Sequence, residues 1–119
     1  MFNLHRLLLS FHYALRGLRA TWHSEQNFRI QVVAGLAALL VALLLGFSVL
    51  RLVVLVFAVT FVLVLELLNT FFEKLIDLLT PRLHHYVGVL KDLLAAVVLV
   101  GSIGALILGV LLFWPYVGW

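Results

Sequence analysis

The chain has five acidic residues, Glu25, Glu66, Glu73, Asp77 and Asp92, and their spacing is the first pointer to chemistry. Glu66 and Glu73 are seven residues apart, so on a helix they share a face and stand about 10.5 Å apart along its axis. Asn69 and Asp77 fall near the same stripe. Glu66 is the deeper carboxylate, closing an uncharged run from Leu52 to Leu65. A carboxylate costs about 2.5–3.5 kcal/mol at mid-bilayer and less toward the interface; a carboxyl in such a setting suits a general base. Glu25 comes from another segment and could approach Glu73. Two carboxylates brought together repel unless a cation lies between them, and oxygen-only ligation favours Mg2+, which keeps waters and substrate phosphates as its other ligands. Lys91 lies near the cluster as a point charge for phosphate, and Arg6 and Tyr13 could approach from the N-terminal segment. A divalent cation, gathered positive charge and a desolvated carboxylate are parts of a phosphoryl-transfer site. With the base at lipid depth, the attacking hydroxyl would belong to a lipid.

These residues are held in a chain made for a bilayer. Of 119 residues, 66% are hydrophobic and 11% charged, against about 45–50% and 25% in soluble domains. That leaves too little polar surface to coat a water-soluble globule. The length allows one domain, residues 1–119. The absence of cysteine excludes disulfides, zinc–thiolate sites and thiol catalysis. The net charge of +3 reads as a topology signal. No basic groove with interleaved aromatics points to nucleic acid. The N-terminus does not read as a signal peptide, because Arg6, His12, Arg16 and Arg19 interrupt its apolar residues.

The expected architecture is an all-α membrane protein: an amphipathic surface helix over about 4–25 and transmembrane helices over about 29–48, 51–79 and 91–114. Leu8, Phe11, Leu15, Leu18 and Trp22 follow helical spacing on one face, with Arg6, Tyr13 and Arg16 off it. Ile30–Leu50 is uncharged and long enough to span. Gly46, Phe47 and Ser48 read as its far end, with Arg51 at the water boundary. The second helix starts in lipid and emerges into water through Glu66, Asn69, Glu73 and Asp77. Pro81 should stop it near Leu79 or Thr80. Residues 81–90 read as a loop, and Trp114, Tyr116 and Trp119 as an aromatic anchor closing the third span.

Seven of the eight basic residues fall on one side of this arrangement, Arg51 being the exception. That side should be cytoplasmic, placing the N-terminus inside and the C-terminus outside a bacterial cytoplasmic membrane. Every acidic residue lies on the same side.

Plainer readings exist for each feature. The acidic stripe could be a solvated helix end paired with Lys74 and Lys91, and Glu66 a hydrogen-bonded packing residue. His84 and His85 could be solvated loop residues. Gly101, Ala105 and Gly109 read as a small-residue packing face. A single membrane carboxylate could also serve a small proton-coupled transporter subunit, although transport by Glu66 would not need the other acidic groups gathered beside it. No Walker motif or protein-kinase catalytic loop is present.

From Arg6 to about Trp114 the chain resembles the small bacterial integral-membrane lipid kinases, the diacylglycerol kinase and undecaprenol kinase family. The motifs are Tyr13 with Arg16-Gly17-Leu18-Arg19-Ala20 and Trp22; Glu25 with Asn27-Phe28-Arg29-Ile30; Glu66-Leu67-Leu68-Asn69-Thr70, Glu73 and Asp77; then His84 and Lys91-Asp92. The resemblance implies a homotrimer whose active sites are shared between neighbouring subunits, with ATP as phosphoryl donor. It makes Glu66 the proton acceptor and Glu25 and Glu73 the holders of magnesium. Arg6, Tyr13 and Lys91 would address the phosphates; His84, Asp92 and Arg82 would lie by the nucleotide. Asn69 and Asp77 would support the site. The lipid would lie near Arg19, Trp22, Phe28, Arg29 and Glu66. Phe71-Phe72, Leu94 and Ala95 depart from the family pattern. The stretch from Gly17 to Trp22 looks like the diacylglycerol branch, and that from Glu25 to Ile30 like the undecaprenol branch. The product would be phosphatidic acid or undecaprenyl phosphate.

Overall fold

Asn3 starts the first helix. Its side-chain oxygen accepts the backbone N–H of Arg6 at 3.2 Å, satisfying one of the donors that a helix start leaves free. The computed structural model describes residues 1–117, with Leu83 by its backbone alone. It is all-helical: α1 Leu4–Ser24, α2 Gln26–Leu44, α3 Val49–Leu83 and α4 Val87–Phe113, followed by a short 3-10 turn, Trp114–Tyr116. Three of these helices, α2, α3 and α4, are long and apolar enough to cross a membrane.

A single residue, Glu25, separates α1 from α2. It is extended (φ −116°, ψ 106°), and its N–H donates to the carbonyl of Thr21 at 2.8 Å. The far end of α2 closes on Gly46, whose φ of +76° is the left-handed value that glycine adopts freely. Gly46 N–H donates to Leu43 O at 3.2 Å and Phe47 N–H to Ala42 O at 3.1 Å, so two of the last carbonyls of α2 are capped. Ser48 then caps α3 by accepting from Arg51 N–H at 3.3 Å. At this end Ala42, Phe47 and Leu55 are buried together, and the Phe47 ring lies 4.8 Å from both the Phe113 and Tyr116 rings.

Arg51 does more than mark a boundary. Its Nη1 donates to the carbonyl of Leu112 at 2.7 Å, and its guanidinium lies 5.6 Å from the Tyr116 ring centre. A cation is thereby held at the negative end of α4, and the carbonyl it meets, absent from the sequence pattern, lies 61 residues away.

The element boundaries differ from the sequence expectation at three places. The first span begins at Gln26 and ends at Leu44 rather than running over 29–48. The second passes through Pro81 and ends at Leu83. Pro81 stands in the last turn, where it removes one intrahelical bond, that to the carbonyl of Asp77, and only two helical residues follow it. Thr80 Oγ1 donates to Ile76 O at 2.9 Å in the same turn. The loop is therefore 84–86 rather than 81–90, and Lys91 and Asp92 lie inside α4, which starts at Val87.

α4 packs chiefly on α3, and α1 meets the bundle through α2. Two glycines permit close approach. A Cβ at Gly35 would come 2.5 Å from Val59 Cγ1 on α3, and one at Gly101 would collide with Leu65 Cδ1. The expected small-residue face on α4 is only partly used within the chain. Gly109 has nothing within 4 Å of its Cβ direction, and with Ala105 it borders an apolar groove between α2, α3 and α4. Trp114 is exposed and Tyr116 stacks on Phe47; Trp119, the third member of the expected anchor, lies outside the described residues.

Candidate active site

Glu66 sits in the α3 run Val62–Thr70, in which Glu66 and Thr70 are buried while Val64 and Leu68 are exposed. Glu66 is 2% exposed, the largest side chain so completely enclosed among the described residues. Its Oε2 accepts a hydrogen bond from Gln31 Nε2 of α2 at 3.3 Å. Thr70 Oγ1 donates to the Glu66 carbonyl at 3.1 Å, which satisfies a hydroxyl that is itself buried. Two further polar atoms, Gln31 Oε1 and Asn69 Oδ1, are buried without a partner. Buried acceptors normally find donors, so each of these two positions has unused capacity for a hydroxyl or amide.

Glu25 and Glu73 are both half-buried and lie within Coulombic range of Glu66. Glu73 occupies the α3 face predicted from its seven-residue spacing. Glu25 is placed by the α1–α2 joint. Arg29 holds that joint: its Nη1 donates to the carbonyls of Trp22 at 2.7 Å and His23 at 3.1 Å, the open end of α1. Phe28, 5% exposed, and Thr21, 7% exposed, pack the inside of the corner, and Thr21 Oγ1 donates to Gly17 O at 2.8 Å. The bends and bonds of this corner bring a carboxylate from outside the three long helices up to the α3 pair.

Lys91 reaches across from α4 to Asp77 of α3, Nζ to Oδ1 2.8 Å, with Glu73 in Coulombic range as well. One cation is thus stationed beside the carboxylates. Asn69 is half-buried at the α3 face toward α4. The chain does not gather the remaining expected residues. Arg6, Tyr13, Arg19 and Trp22 are exposed on α1, and Arg82, His84 and Asp92 are exposed around the α3–α4 turn. No hydrogen bond or ion pair among the described residues joins Arg6, Tyr13, Arg82, His84 or Asp92 to the Glu25–Glu66–Glu73 group. The His84 and His85 ring centres lie 3.8 Å apart, with the ring planes tilted by 39°.

The donor set fits magnesium and not a closed metal site. Among the described residues no three His, Cys, Asp or Glu groups come together around one point. Two partly open carboxylates from separate elements leave positions for waters and phosphate oxygens, which is how magnesium is usually held.

Gln31 is the site residue that the sequence reading passes over. Its signal is an amide within the otherwise uncharged run Ile30–Leu50. An uncharged polar side chain leaves such a run looking like a span, and its partner, 35 residues away, is visible only in the packed bundle.

Three helices long and apolar enough to cross a membrane, with an enclosed carboxyl midway along the second and two further carboxylates in electrostatic range of it, define a polytopic membrane protein with a built polar site. The prokaryotic diacylglycerol kinase family model matches residues 12–113, and the chain belongs to that family. It is 34% identical to the diacylglycerol kinase of Escherichia coli over 113 residues, covering 95% of this chain and 93% of that protein. Similarity to the undecaprenol kinase of Bacillus subtilis is 33% over 113 residues, covering 95% and 92%. A Synechocystis diacylglycerol kinase is 36% identical over 110 residues, covering 92% of this chain but 63% of the cyanobacterial protein.

Proposed function

We propose that the protein transfers the terminal phosphoryl group of ATP to the hydroxyl of a membrane lipid at the cytoplasmic face, making phosphatidic acid from diacylglycerol or undecaprenyl phosphate from undecaprenol. The observation that carries this reading is the enclosed Glu66 carboxyl with Glu25 and Glu73 in electrostatic range, within a chain of the lipid-kinase family. Identities of 34% and 33% to the two kinds of enzyme do not separate the two alcohols.

Glu66 accepts the hydroxyl proton as the alcohol attacks the terminal phosphorus; the O–P bond to the lipid forms while the bond to the ADP leaving oxygen breaks. Gln31 orients the Glu66 carboxyl, and its unpartnered Oε1 is an acceptor for the alcohol hydroxyl beside it. Glu25 and Glu73 hold magnesium, whose charge offsets that of the triphosphate. Lys91 adds a positive charge from α4. Enclosure by apolar helices keeps water from competing for the phosphoryl group.

Arg6, Tyr13, Arg19, Trp22, Arg82, His84 and Asp92 take the parts that the family implies only when subunits assemble. This accounts for their exposure in one chain, and a homotrimer with shared sites is the proposed assembly. Its topology is N-terminus inside and C-terminus outside.

Purified protein in bilayers, given magnesium, radiolabelled ATP and each lipid alcohol in turn, tests the proposal. Label should appear in a lipid phosphate. Folded, assembled protein that labels neither alcohol overturns it.

A further inference from the structure

α1 presents a second polar face, of which the proposed chemistry uses Arg19 alone. His5, His12, Arg16, Arg19 and His23 are spaced by seven, four, three and four residues. At 100° per residue they fall within about 40° of one line along the helix. All five are exposed. No acidic residue occurs anywhere in α1. On one side the stripe borders Leu4, Leu8, Phe11, Leu15, Leu18 and Trp22, all exposed. Arg6 and Tyr13, seven apart, stand on the other side, about 90° round the helix from the stripe.

An apolar face edged by two arginines and three imidazoles matches the boundary between hydrocarbon and headgroups. The joint at Glu25 ties the helix directly to a span, and so keeps it at that boundary. A soluble acidic partner would complement the two arginines but leave the apolar face in water. We propose that the His5–His12–Arg16–Arg19–His23 stripe binds the phosphate groups of anionic lipids in the leaflet that α1 lies on, so that the orientation of α1 depends on the anionic lipid content. Arg29 and Glu25 then transmit that orientation to the carboxylate group. The lipid contact stands whether or not the chain is a kinase; the transmission to Glu25 rests on the kinase reading.

The chain has no cysteine, so Ser10→Cys provides a unique spin-label position, exposed and off the stripe. The labelled protein is placed in phosphatidylcholine vesicles with rising fractions of phosphatidylglycerol. Label motion should slow as the anionic fraction rises, and high salt should reverse the effect. Each cation near an anionic leaflet is worth about fivefold in partitioning, so Arg16→Gln should move the response to a clearly higher anionic fraction. Arg16→Gln with Arg19→Gln should reduce it further. Lys74→Gln, which removes an exposed cation from α3, should leave it unchanged.

Motion that ignores phosphatidylglycerol in the parent overturns the proposal, as does an unaltered response in the Arg16→Gln protein. Equal loss with Lys74→Gln would make the effect one of net charge and overturn the stripe. Slowing by inorganic phosphate in pure phosphatidylcholine would assign the stripe to soluble anions instead of lipid. Label motion needs no turnover, so a failed lipid contact is distinguishable from a failed kinase reading.

Discussion

Gln31 Nε2 lies 3.3 Å from Glu66 Oε2, a bond between the first and second long helices at a carboxyl that is 2% exposed. It fixes the direction in which Glu66 presents its second oxygen, and couples the chemistry of α3 to the seating of α2. Replacing Glu66 by Gln keeps the shape and removes the base. Turnover should fall about 10²–10⁴-fold, the usual contribution of a positioned base, while ATP binding persists. Kinetics together with nucleotide-binding measurements check this; equal collapse of ATP affinity would remove Glu66 from the role of base.

Gln31→Leu leaves Glu66 with a donor missing. Loss of one partner from a buried polar pair costs about 1–3 kcal/mol, so the variant should unfold earlier in a denaturant titration in detergent. Its turnover should also fall, by less than that of Glu66→Gln, because the base is still present but less well aimed.

Glu25→Ala and Glu73→Ala should each cause a large loss of activity, and the remaining activity should require more magnesium. The two carboxylates reach the site from different elements, one from the helix joint and one from α3, so neither can replace the other. A magnesium titration at saturating ATP checks the shift. Unchanged magnesium dependence in both variants would separate these residues from the metal.

Gly35→Ala should be more destabilising than Gly101→Ala. The new Cβ at Gly35 meets Val59 Cγ1 at 2.5 Å, and valine is stiff about χ1, so the backbones of α2 and α3 must part. The obstacle at Gly101 is the far end of the Leu65 side chain, which can turn aside. Overpacking of the first kind costs about 1–3 kcal/mol. Thermal unfolding of the two variants side by side measures the order.

A membrane-impermeant thiol reagent should reach cysteines introduced at Ser10 and Tyr86 from the cytosolic side, and one at Ser48 from the other. The cysteine-free background makes each label unambiguous. Labels at Ser10 and Tyr86 on opposite sides would separate α1 from the α3–α4 turn and dismantle the proposed site.

The chain's pattern of residue types was enough for the solvent, the three long apolar helices and the α3 stripe of Glu66, Asn69, Glu73 and Asp77. These follow from composition and from periods of a few residues, which act within one helix. The motif spacing was likewise enough for the family. The pairing of Gln31 with Glu66, the hold of Arg29 on the end of α1 and the lodging of Arg51 at the end of α4 were not visible there. Each joins groups on different helices, or backbone carbonyls that every residue possesses and no sequence distinguishes. The passage of α3 through Pro81 was missed for a related reason: proline's local preference opposes a helix, but in a final turn it forfeits one bond, and the preceding helix is long enough to carry it. Local rules place residues on faces; the packing of those faces selects which polar atoms meet.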